Sequence, residues 1–173
     1  LKIASFAPVH NYQQAGLVVY QNDDNYVQIM RIYEGGNNIT FARETGGNAS
    51  NLNSVSVSAT TNMYFRLDRN IGTGVITSYY SLNGTTWTTV GSVTQSLSSP
   101  RLGIVTGGDS SPGGYPNADI AWAEVEVQAI TPTLSVTPAD IAFSTIINGT
   151  APASQSVSIT NSGTSEVLSW TST

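Results

Sequence analysis

The stretch Met63-Tyr64-Phe65-Arg66-Leu67-Asp68 decides the fold class. Apolar Met63, Phe65 and Leu67 alternate with polar Tyr64, Arg66 and Asp68, the spacing of a β-strand with one face in a core and one face open. Working outward, Gly74 to Leu82 and Thr85 to Val90 are strand-like and flank Asn83-Gly84, a pair that favours a tight type I′ hairpin turn. Upstream, Leu17 to Tyr20 and Tyr26 to Tyr33 are β-branched or aromatic and enclose a turn at 21–25. Asn38 to Glu44 follows between two Gly-Gly pairs, and Val55 and Val57 alternate with serines. Downstream, Leu102 to Thr106 is a short strand, 107–117 is a glycine- and proline-rich loop, and Asp119 to Val127 closes the block. Strands at this spacing, with no helical period, predict an all-β antiparallel sandwich over residues 1–129.

Composition excludes several functions. The chain has 173 residues, 39% hydrophobic and 10% charged, with no cysteine. Disorder and coiled coil do not fit, and no apolar run approaches the roughly 18 residues of a membrane span. Six basic against eleven acidic residues give a net charge of −5. Phosphate backbones are read by clustered Lys and Arg, so neither nucleic acid nor membrane insertion is expected. A hydroxyl-rich, lysine-poor surface points to an extracellular or cell-surface setting. The chain opens at Leu1 without a signal segment, and is read as a piece of a larger product whose export signal lies upstream.

After Val127 the texture changes. Prolines appear, aromatics thin out, and Thr133–Thr137, Ile141–Thr145, Ser154–Thr160 and Val167–Thr171 suggest four short strands. An immunoglobulin-like sandwich needs about 100 residues, so residues 130–173 are expected to be an incomplete module whose open edge is free to pair with neighbouring chains.

Catalysis has little to stand on. His10 is the one histidine and has no evident nucleophile and base around it. Asp23 and Asp24 are adjacent, which suits a turn better than a paired acid. Sugar binding needs rings to stack on pyranose faces and planar polar groups to take hydroxyls. Tyr64 and Arg66, together with Tyr20, Asp24, Tyr26, Gln28, Arg31 and Tyr33 from the upstream hairpin, form a candidate ligand surface. The competing reading is that these side chains simply cover an open sheet face.

The ordered segments Tyr12 to Tyr20, Asp24 to Val27, Phe65-Arg66-Leu67, Tyr79 to Trp87, Leu102-Gly103-Ile104 and Ala118 to Trp122 resemble the accessory concanavalin A-like (laminin G-like) sandwich of bacterial polysaccharide-active and surface proteins. The resemblance implies a jelly-roll topology and a module placed behind glycoside hydrolases or in surface proteins, several of which bind sugars. It also implies a structural calcium at an aspartate opening the last strand, which places Asp119 and Asp109 as candidate ligands. Glycosidases of this architecture set carboxylates on one strand face. Glu124-Val125-Glu126 has that spacing but lacks a third acid. The tail segments Leu134 to Pro138, Ile141 to Ser144 and Gln155 to Gly163 resemble the opening of a bacterial immunoglobulin-like repeat, used as a spacer. The expected function is a non-catalytic, extracellular carbohydrate-binding or adhesive module that holds a neutral glycan. The alternative is a structural subunit of a surface layer, stalk or filament, and a glycoside hydrolase stands last.

Overall fold

The computed structural model describes residues 1–58, 62–108, 116–127 and 133–161. The chain divides into two units, Leu1–Val125 and Glu126–Thr173. The first is an antiparallel sandwich of two five-stranded sheets. One sheet has the order β10(Asp119–Trp122), β1(Lys2–Ser5), β6(Met63–Arg69), β7(Val75–Ser81), β8(Thr88–Thr94); the other has β5(Asn48–Ser56), β4(Asn37–Thr45), β3(Asn25–Tyr33), β2(Gln14–Asn22), β9(Arg101–Gly107).

The alternation of β6 is realised: Met63 and Phe65 are buried and Leu67 packs against the same core, while Arg66 is exposed. From the facing sheet come Leu17 and Val19, Val27 and Ile29, and Ile39 and Phe41. Each pair sits two residues apart, so each strand presents one face inward. The middle of the second sheet is buried on its outer face as well. Val18, Gln28, Met30, Thr40 and Ala42, all of the opposite parity, are buried, and Met30, Ile32 and Ala42 form a separate small cluster there. A strand apolar on both faces cannot reveal by periodicity which face meets the main core.

Several expectations need correction. β1, between β10 and β6 in the first sheet, comes from a stretch that carried no strand assignment; Ile3 is fully buried and pairs with Met63 and Ile120. Asn83-Gly84 does not make a two-residue turn. Gly84 alone of the two has positive φ, at +79°, whereas type I′ needs both. The connection is longer because side chains capture it: Asn83 Oδ1 accepts from the amides of Thr85 and Thr86, and Ser81 Oγ accepts from those of Asn83 and Gly84. The last strand ends at Trp122, so Glu124 and Glu126 do not lie on it and the argument for a shared strand face lapses.

In the second unit, β11(Leu134–Thr137) pairs antiparallel with β12(Ser158–Asn161), Leu134 opposite Asn161 and Thr137 opposite Ser158. Residues 141–145, expected to be extended, form no strand. The segment Val167–Thr171 lies outside the described residues.

Candidate functional site

The β2–β3 hairpin sets Tyr20 directly opposite Tyr26 and Val18 opposite Gln28. On the other side of β2, Arg101 stands opposite Tyr20 and Gly103 opposite Val18. Directly opposed residues share a face, so Tyr20, Tyr26, Gln28 and Arg101 converge on the outer face of the second sheet. They line a groove of about 620 Å³, within the usual range for a small-molecule site. Gly103 keeps it open, since a Cβ there would lie 3.2 Å from Val18 Cγ1.

Both tyrosines are held by carboxylates. The Tyr20 hydroxyl donates to Asp23 Oδ1 at 2.7 Å and the Tyr26 hydroxyl to Glu44 Oε2 at 2.8 Å. The hydrogen bond to Asp23 is the main cause that raises the Tyr20 hydroxyl pKa, with Arg101 pulling weakly the other way. Burial, then the Glu44 hydrogen bond, pushes the Tyr26 hydroxyl up to about 12. Both therefore stay neutral at ordinary pH, with proton committed and oxygen lone pairs left to accept. The groove thus offers two anchored rings, an amide at its floor and a guanidinium at its rim.

The groove continues over the edge of β9. Leu102 and Ile104 pair with Val19 and Leu17 and so lie on the core side, yet they are 42% and 46% exposed.

The eight candidate ligand residues do not form one surface. Tyr20, Tyr26 and Gln28 come together in the groove. Arg31 is turned into the core: it is 2% exposed, and its Nη1 donates to the Phe6 carbonyl and Nη2 to Asn37 Oδ1, each at 2.8 Å. Arg31 shares its face with Val27 and Ile29, and burial lowers its pKa. Tyr33 sits at the far end of β3, opposite Asn37, about 23 Å along the strand from Tyr26. Asp24 lies in the β2–β3 turn, where its carbonyl accepts from the Gly47 amide at 3.1 Å. Tyr64 and Arg66 lie on the outer face of the other sheet, so they cannot join the groove.

Sequence reasoning missed Asp23, Glu44 and Arg101. Asp23 lies three residues from Tyr20 across a turn, a local signal that was available. Arg101 reaches the site only through the long-range β2–β9 pairing.

Of the two candidate calcium ligands, only Asp119 lies among the described residues. Asp119 opens β10 opposite Ser5 and is exposed, and Asp109 lies outside the described residues. Among the described residues no group of three or more His, Cys, Asp or Glu could hold a metal ion.

Two antiparallel sheets face to face, with a groove on one outer face, define a concanavalin A-like β-sandwich. Residues 4–108 match the family described as the beta xylosidase C-terminal concanavalin A-like domain, and the chain belongs to that family. Among solved structures it is similar to the GH43 protein BlXynB from Bacillus licheniformis, with a TM-score of 0.56 and 22% identity, and to a mutant of that protein, with 0.55 and 20%. In each case the match covers 66% of this chain and 24% of the other. No curated protein matches the chain.

Proposed function

We propose that the sandwich is a non-catalytic, extracellular accessory module of a polysaccharide-processing protein, and that it holds a neutral glycan in the groove between β9 and β3. One observation carries this reading: Tyr20 and Tyr26 face each other across β2–β3 with their hydroxyls anchored by Asp23 and Glu44. Anchored rings lose little freedom when a pyranose stacks on them, and Gln28 and Arg101 supply donors for ring hydroxyls. The family's description as a domain of beta xylosidases makes a xylose polymer the first probe. Affinity electrophoresis through xylan and other neutral polysaccharides tests the proposal. Retention is expected on at least one of them, weakened about tenfold by Tyr26→Ala. No retention on any, or retention indifferent to that substitution, contradicts it.

A second reading has its own observation. Leu102 and Ile104 are half exposed on the core side of β9, an edge strand. Such an edge can pair with an added strand, which suits packing against a neighbouring chain or another part of the parent protein. Size-exclusion chromatography separates the two: a dimer abolished by Leu102→Lys favours packing.

A further inference from the structure

The outer face of the first sheet carries an arrangement that the groove does not use. Register places Trp122, Lys2 and Tyr64 in one row across β10, β1 and β6. The Trp122 and Tyr64 rings lie 6.2 Å apart at 55°, and the Lys2 ammonium sits 5.4 Å above the centre of the Tyr64 ring. Gly84 backs that ring closely, for a Cβ at Gly84 would fall 2.8 Å from Tyr64 Cε1. The ring is therefore fixed in place, and the cation resting on it is positioned between two strands.

Charge distinguishes Lys2 from its neighbour on the same face. Arg66 is engaged with Asp68 in a bidentate pair at 2.6 and 2.7 Å and lies over Tyr79. Lys2 makes no ion pair among the described residues. It is the one lysine in a chain of net charge −5, and an exposed indole (Trp122, 45% exposed) stands beside it. An indole offers a stacking surface for a pyranose, and an ammonium beside it supplies a charge for a carboxylate on that sugar.

We infer that Trp122 and Lys2 form a second saccharide site, selective for a uronosyl unit: Trp122 stacks on the ring and Lys2 pairs with the carboxylate, while Tyr64 positions Lys2. This inference does not rest on the groove, which lies on the opposite sheet. It gives the sandwich two unlike faces, one for a neutral chain and one for an acidic substituent on such a chain.

Isothermal titration of the full chain tests it with three probes: an unbranched xylo-oligosaccharide, the same oligosaccharide bearing one glucuronosyl branch, and an oligoglutamate. The branched sugar is expected to bind about tenfold more tightly than the unbranched one at low salt, and the margin should shrink as salt rises to about 0.15 M. Lys2→Gln, a surface change that leaves the packing intact, should erase the margin, and Lys2→Arg should restore it. Tyr26→Ala should weaken the unbranched sugar and leave the affinity of the branched one unchanged, so that the margin widens, which separates this site from the groove. A margin that survives Lys2→Gln, equal binding of the two sugars by the unaltered chain, or oligoglutamate binding as tightly as the branched sugar overturns the inference.

Discussion

Arg31 separates a binding role from a structural one most sharply. Arg31→Ala removes two charge-assisted hydrogen bonds, to the Phe6 carbonyl and to Asn37, and leaves a buried void. Bonds of this kind contribute about 1.5–3 kcal/mol each. Against that stands the desolvation of the guanidinium, whose Nε has no partner among the described residues. The net expected loss is about 3 kcal/mol, because the Phe6 carbonyl and Asn37 Oδ1 each lose their donor at about 1–3 kcal/mol. For a unit of this size, with a urea m-value of about 1.5–2 kcal/mol/M, the unfolding midpoint should fall by about 1.5–2 M. Arg31→Met fills most of the volume and removes the desolvation cost, so it should lose only about 1–2 kcal/mol. Glycan retention below the transition should be unchanged in both. An Arg31→Ala protein that unfolds with the unaltered chain, or that loses retention at an unchanged midpoint, refutes the structural assignment.

Other outcomes follow from the same geometry. At Gly16 a Cβ would lie 2.0 Å from the Ile29 carbonyl oxygen and 2.6 Å from Met30 Cα. Backbone cannot yield there, so Gly16→Ala should cost more than about 3 kcal/mol by thermal unfolding. Gly84→Ala places a Cβ against Tyr64 at φ +79° and should cost about 1–2 kcal/mol. Ultraviolet titration should show one tyrosine ionising near 12, where Tyr26 is placed. Because its folded pKa lies above the ordinary value of about 10, its contribution to stability is fully present below that value and is lost as pH rises towards 12. Glu44→Gln should bring that titration down only in part, since burial is the larger cause.

Local patterns made much of this fold legible. The β6 alternation and the turns around the β2–β3 and β3–β4 hairpins correspond to strands where expected. The candidate site was legible only in part, and Arg31 shows why. β3 is buried on both faces, with Val27 and Ile29 on one and Met30 and Ile32 on the other. A polar residue in such a strand reads as exposed when its face is in fact the core. Tyr20 and Tyr26 were accessible from the sequence because a short hairpin joins them. Their separation from Tyr64 was not, because the two sheets differ only in long-range pairing. Asn83-Gly84 misled because Ser81 and Asn83 side chains hold a wider turn than the dipeptide specifies.

The proposed glycan site is the groove on the outer face of the second sheet. Amide chemical-shift mapping during titration with a neutral xylo-oligosaccharide tests it most directly. Perturbations should centre on Tyr20, Tyr26, Gln28 and Arg101. Saturable shifts confined to other strands, with these four unmoved, would contradict it.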